Sequence, residues 1–333
     1  LKPLNADARC SHISARFGSV RVTLIASFAF AAALLLPAAM PNLWSLGAAI
    51  LVLGACNGAM DVAMNGHGSM VEAAGGKPIM SSLHGVFSVG GMAGAVVGGA
   101  VLSWGMAPAV HLLLAGGLCA LVLVVACPAV LPHVPHHERP DAGTPRVNRW
   151  RSSALWALGG IALIALVAEG AMYDWATVYM RDVVLSTPAV ASAAYAAFSG
   201  GMAAARFAGD AVRARFGAPQ LIMASASLAC AGMIGALLLP YPVAALTGFT
   251  LMGLGLANMM PVLFAAAARV EGVHAAEGLA HVAGLAYFGL LLGPVVIGGV
   301  TQMTSLPLGL SVVALCAALV AITGPRVLRW LKI

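Results

Sequence analysis

The chain has 333 residues, of which 61% are hydrophobic and only 8% charged, with a mean hydropathy of +0.96. A water-soluble domain of this length needs far more charge on its surface, so soluble enzymes and binding modules are excluded by composition. A net charge of +6 does not indicate a nucleic-acid partner, because the basic residues sort by position along the chain instead of forming a patch.

The first twenty or so residues are polar and resemble an inter-helix loop; no cleavable signal peptide is visible. Apolar runs of roughly 18–25 residues, enough to cross a hydrocarbon core of about 30 Å, then predict ten helical spans. They lie near 22–40, 44–65, 80–103, 109–131, 154–178, 188–206, 219–239, 243–264, 278–300 and 306–324. The runs are continuous, not alternating, which selects helices over a barrel, and a spanning helix satisfies its own backbone groups. The expected fold is an all-α integral membrane protein. Thirty-nine glycines suit helices that associate through small residues in lipid.

Residues 133–153 are polar and proline-rich, with Pro135, Pro140, Pro145, four arginines and His133, His136 and His137. They read as a linker between a first half, 1–132, with four spans and a second half, 154–333, with six. The three histidines lack a partner cluster, and Cys10, Cys56, Cys119, Cys127, Cys230 and Cys316 occur singly. Neither a metal, a disulfide nor a cofactor is expected. Assigning the gaps alternately to two sides puts sixteen of the seventeen Lys and Arg residues on the side of both termini, and only Arg181 on the other. That bias makes the first side, and the C-terminus, cytoplasmic.

The chain also repeats itself. Arg16-Phe17-Gly18 recurs as Arg215-Phe216-Gly217, Gly54 falls on Gly253, and Val96, Gly98 and Gly99 fall on Val296, Gly298 and Gly299. Parallel internal repeats in so apolar a chain indicate two pseudo-symmetric halves of a secondary transporter. Residues 154–206 have no partner in the first half, so the expectation is a duplicated transporter lacking its first two spans.

Residues 54–99, which include D-V-A-M-N at 61–65 and G-K-P-I-M-S-S-L-H at 76–84, resemble the major facilitator superfamily. Within it they are similar to bacterial sugar permeases of the fucose-permease type. The run EGAMYDWATVYMRD at 169–182 resembles the opening of that branch's seventh span. Arg206-Phe207-Ala208-Gly209-Asp210, with Arg213 and Arg215-Phe216-Gly217, resembles a degenerate form of the superfamily's cytoplasmic loop motif. The resemblance implies a major-facilitator-type helical bundle in a bacterial inner membrane, working by alternating access. A monomer is expected, with a small-molecule solute, a proton and the lipid bilayer as its partners and no nucleic acid.

An ionised carboxylate inside a membrane costs several kcal/mol unless paired or facing water, so intramembrane acids are functional candidates. Asp61, Glu169 and Asp174 are those acids. Asn57, Asp61 and Asn65 are spaced i, i+4, i+8 and share one helical stripe, which can offer donors and acceptors to a polar solute or hold the bundle together. By resemblance, Asp61 occupies the proton-coupling position of sugar–proton symporters and Asn65 the neighbouring Asn. Glu169 and Tyr173 form a second i, i+4 pair, whereas Asp174 lies about 140° round the helix from Glu169. Glu169 joins Asp61 as a coupling candidate; Tyr173 and Asp174 join Asn57 and Asn65 as binding candidates. His84, paired with Ser88, and His281 and Asn258 are added as polar span residues that relay protons or bind solute, or else hold helices together. Arg206 and Asp210 are expected to form a cytoplasmic charge clasp that gates. Gly90, Gly91, Gly94, Gly98, Gly99, Gly289, Gly293, Gly298 and Gly299 are expected to make thin, bendable helices.

The expected function is transport of a small polar solute, such as a sugar, coupled to protons. Proton-driven efflux of drugs or metabolites and a transport-dead remnant are the alternatives. An intramembrane enzyme is disfavoured: Tyr173-Asp174 resembles half of an aspartyl-protease pair, but no second acidic motif, H-E-x-x-H, G-x-S-x-G or phosphate loop occurs.

Overall fold

The computed structural model describes residues 19–75, 79–129, 149–273 and 275–332. Arg16-Phe17-Gly18, Cys10 and the linker histidines lie outside the described residues. Among those described there are no strands. The helices are α1 (Ser19–Ala33), α2 (Leu43–Gly75), α3 (Met80–Ser103), α4 (Pro108–Ala126), α5 (Ser153–Asp182) and α6 (Pro188–Arg215), followed by α7 (Ala218–Leu238), α8 (Pro242–Leu256), α9 (Met259–Ala267), α10 (Ala275–Met303) and α11 (Leu306–Trp330).

Nine stretches among the described residues are long and apolar enough to cross a membrane, one of them joining α8 and α9. The remaining expected span, 188–206, is α6: its 28 residues are long enough, but Ser192, Tyr195, Ser199 and a basic last third dilute its apolar character. About ten spans are therefore present, as the sequence indicates. Helix starts follow local rules. Proline occupies the first turn of α4, α6, α7, α8 and α11, where its missing N–H costs nothing. Ser152 and Thr187 cap α5 and α6 by accepting from the amides of Leu155 and Val190. Two helices outrun their expected lengths. α2 reaches Gly75 where the span was expected to end near 65, and α6 reaches Arg215 where it was expected to end near 206. Conversely, the span at 243–264 breaks at Ala257–Asn258. Pro261 explains the break, since its ring clashes with the carbonyl of Ala257 and it has no N–H to offer.

By packing, the chain divides into two compact units, Leu1–Met80 with Trp104–Pro140, and Ser81–Ser103 with Asp141–Ile333. Helix α3 thus groups with the later helices, whereas the sequence division falls at the linker. In the first unit α1 packs along α2 and α4, and Leu113, Leu114, Leu118 and Leu121 on α4 are exposed, as lipid-facing residues would be.

The second unit is built round α5, which packs on α6, α10 and α11 and is buried over most of its span. Close backbone approach explains several glycines. A Cβ at Gly170 would collide with the Leu290 carbonyl, at Gly289 with that of Leu163 and at Gly253 with that of Phe198, so α5, α10, α6 and α8 meet backbone to backbone. In contrast, Gly90, Gly94 and Gly299 have open space where a Cβ would stand. The Tyr179 hydroxyl donates to the Ala236 carbonyl at 2.8 Å, closing α5 onto α7 without an orphaned polar atom.

Candidate functional site

In the second unit, Glu169 stands near the middle of α5 and is 8% exposed. The Tyr173 hydroxyl, one turn on, donates to its Oε1 at 2.9 Å, so the i, i+4 spacing becomes a hydrogen bond. Arg206 from α6 brings its Nη2 to 3.8 Å from the same oxygen, an ion pair whose two side chains are each only 11% exposed. The other end of the guanidinium turns to α3. Nη1 donates to Ser88 Oγ at 2.6 Å and to the His84 carbonyl at 3.3 Å, and Ser88 Oγ itself donates to that carbonyl at 3.1 Å. Aromatic rings border the group. Tyr173 lies 5.5 Å from Tyr195, tilted, and 5.5 Å from Phe198, edge to face, with Met202 Sδ beside its hydroxyl. Helix α3 comes close along the same side: Cβ positions at Gly85 and Gly91 would sit 3.0 Å and 3.3 Å from the rings of Phe207 and Tyr195.

This arrangement makes chemical sense at membrane depth. A lone buried carboxylate or guanidinium would be heavily penalised, and each offsets part of the other's desolvation cost. Arg206 has five donors, and among the described residues its hydrogen bonds are those two from Nη1; Glu169 lies beyond hydrogen-bond distance. The pair is therefore neutral in sum but incompletely satisfied at its facing edges.

Other candidates are placed elsewhere. In the first unit, Asn65 Nδ2 donates to the Asp61 carbonyl at 2.9 Å and to its Oδ1 at 3.1 Å. Asp61 and Asn65 are half-buried there, and Asn57, two turns before Asn65 on the stripe, is exposed. Asp174 is exposed on α5, away from Glu169. Asn258 is buried at the α8–α9 break. His281, 6% exposed, lies edge to face between Trp150 and Trp156, with ring centroids at 5.2 Å and 4.8 Å, and Trp156 Nε1 donates to the Trp150 carbonyl. Thirteen residues separate Trp156 from Glu169 on α5, about 20 Å along the axis, so His281 is not part of the Glu169 group. Trp175 donates from Nε1 to the Pro294 carbonyl and packs against Gly298, facing α10. The side chain of Asp210 lies outside the described residues.

Ser88 was seen in the sequence only as the partner of His84, while Tyr195, Phe198 and Met202 carried no polar motif at all. Arg206 is the last residue of the span expected at 188–206, but α6 has no breaker until Gly217 and Pro219 and continues to Arg215, so Arg206 lies well inside the helix.

A helical membrane protein with a buried acid–base group among its spans is the architecture of a solute carrier. The chain belongs to the major facilitator superfamily, whose family model matches residues 10–249. It is 34% identical over 296 residues to the membrane protein MosC of Rhizobium meliloti, spanning 89% of this chain and 70% of that protein. An uncharacterised MFS-type transporter of Yersinia pestis is 31% identical over 318 residues, 95% of this chain and 81% of the relative. Among solved structures, the fold resembles the E. coli fucose:proton symporter FucP at a TM-score of 0.68 and 16% identity, covering 97% of this chain and 87% of that one. The nucleoside transporter NupG also superposes at 0.68, with 14% identity and 95% and 85% coverage.

Proposed function

We propose that this transporter carries a small polar solute across a bacterial inner membrane by alternating access, coupled to protons, with its C-terminus in the cytoplasm. The observation that carries the reading is the Glu169–Arg206 pair buried between α5 and α6. A carboxylate at that depth, within reach of a cation and a tyrosine hydroxyl, is a group whose charge state can be exchanged with solvent when the protein opens. Glu169 and Asp61 are the proposed proton carriers. Tyr173, with Tyr195 and Phe198 beside it, supplies ring faces and a hydroxyl for a hydroxylated solute, while Asn57, Asn65, Asp174, His84, Asn258 and His281 are polar positions open to the same test. The named cargo of a similar fold, a fucose:proton pair in one case, supports a sugar-like solute and proton coupling. Arg206 is proposed to gate through Glu169 and α3, with Asp210 near the cytoplasmic end of α6.

Proteoliposomes loaded with the protein and given an inward proton gradient provide the test. From a panel of labelled monosaccharides and sugar acids at least one should accumulate, and collapsing the gradient or introducing Glu169→Gln should stop accumulation. Equal accumulation with and without the gradient would remove proton coupling from the reading.

A further inference from the structure

We propose that the solute held at this site is an organic anion, a hydroxylated carboxylate of the sugar-acid type, whose carboxylate is bound by Arg206 while Glu169 takes up one balancing proton. This rests on the transport reading above and names the substrate class for the same site.

Arg206 spends only part of its donor set on the protein. Its Nη1 is committed to α3 through Ser88 and the His84 carbonyl, which fixes the plane of the guanidinium. Its Nη2 points toward Glu169 but stops at 3.8 Å, too far to hydrogen-bond. A guanidinium presents a rigid fork that matches a carboxylate with two parallel bonds, which Glu169 does not fill at this distance. A solute carboxylate can take that fork.

Charge then dictates the stoichiometry. Bound among apolar helices, the group tolerates a net charge near zero and little else. Arg206 with ionised Glu169 is neutral. Adding an anion makes the group negative unless Glu169 is protonated, after which Arg206 and the solute form the neutral pair. One proton therefore accompanies each carboxylate without any further coupling device. The titratable groups facing Glu169 are Tyr173 on its own helix and Arg206 and Tyr195 from α6, while α3 offers Arg206 the Ser88 hydroxyl and the His84 backbone carbonyl. Arg206 is the permanent cation among them, so it is the group able to hold an anion whatever the pH. A neutral sugar would leave the fork of Arg206 unused and give no reason for the proton to bind. The ring faces of Tyr173 and Tyr195 suit the hydroxylated carbon skeleton that the carboxylate would carry.

The test compares an acid with its neutral counterpart. Labelled D-glucuronate, D-galacturonate and D-gluconate are measured beside D-glucose and D-galactose, by binding to purified protein in nanodiscs and by counterflow in liposomes. The expected result is counterflow of at least one acid, with the matching neutral sugar bound roughly tenfold or more weakly. Acid binding should strengthen as the buffer is made acidic. Glu169→Gln, a permanently neutral stand-in, should bind the acid with no pH dependence. Arg206→Lys keeps the charge but loses the fork, so it should melt above Arg206→Ala and still bind the acid roughly tenfold more weakly than wild type. Counterflow of neutral sugars with none for the acids would overturn this proposal while leaving the transport reading in place. Undiminished acid binding in Arg206→Lys and Arg206→Gln would also overturn it. Failure of every acid and every neutral sugar to exchange would overturn both.

Discussion

The two packing units place carboxylates in a membrane by different means. In the first, Asp61 is met by Asn65 from its own helix, a contact that α2 makes by its periodicity alone. In the second, Glu169 also takes a same-helix partner, Tyr173, but its counter-charge arrives from α6, and that charge is in turn anchored on α3. Glycines differ by position within each unit: a Cβ at Gly116 on α4 would stand 3.1 Å from the Ala31 carbonyl of α1 in the first, and Gly160, Gly235 and Gly284 are open in the second. Gly47, Gly54 and Gly58 on α2 have open space round a notional Cβ, whereas Gly170, Gly253 and Gly289 touch the backbone of another helix.

The largest effect should come from Arg206→Ala. It leaves Glu169 buried without a cation and removes the hydrogen bonds from α6 to Ser88 and the His84 carbonyl on α3, and breaking a buried pair from one side costs about 3–5 kcal/mol. A fall in melting temperature in detergent and loss of transport should appear together; an unchanged melt would mean the ion pair does not form. Tyr173→Phe is next. It keeps the ring against Tyr195 and Phe198 and removes only the hydroxyl donated to Glu169. A hydrogen bond to a charged group is worth about 1.5–3 kcal/mol, so chemical denaturation should register a smaller loss than Arg206→Ala gives.

A matched pair of glycine substitutions sharpens the packing half of the comparison. Gly253→Val would drive a side chain into the Phe198 carbonyl and to within 2.9 Å of the Met202 amide, and such overpacking costs about 1–3 kcal/mol. Gly58→Ala meets nothing and removes a flexible residue from a helix interior, which is worth about 0.5–1 kcal/mol in the stabilising direction. Equal effects of the two on thermal stability would mean that the glycines do not mark helix crossings.

What could be read from the sequence divides along the same line. Span count and helix starts follow from apolar length and prolines at first turns. Of the i, i+4 pairs in the sequence, Asp61 with Asn65, Glu169 with Tyr173 and His84 with Ser88 are hydrogen-bonded, although Ser88 reaches the His84 carbonyl and not its ring, and Asn57, a turn before Asp61, is exposed. Each is a property of one helix. The partner that makes Glu169 interesting lies 37 residues away in the chain on another helix, and its own anchor, Ser88, lies 118 residues from it. No periodicity encodes that meeting. Arg206 was further obscured because basic residues near a span end read as topology markers, and only the continuation of α6 to Arg215 puts it at depth. The break at Asn258 was open to inspection, since Pro261 follows by three residues, but a run of apolar residues through 264 masked it.

The smallest effect on folding should be that of Asp61→Asn, and for that reason it is the most discriminating change for function. The Asn65 amide can still donate to the backbone carbonyl of residue 61, and it can donate to the new side-chain oxygen as it did to Oδ1. With the local pair preserved, the melt should move by no more than about 0.5 kcal/mol. The group that binds a proton is nevertheless gone. If Asp61 and Glu169 both carry protons, pH-driven uptake fails in Asp61→Asn although the protein is folded, while exchange of solute at equilibrium persists because the binding group in the second unit is untouched. Wild-type uptake in the variant would take Asp61 out of the mechanism and leave coupling to Glu169 alone. The Asp61–Asn65 pair would then be an element of α2, and Glu169, held by Arg206 across helices, would be the working acid.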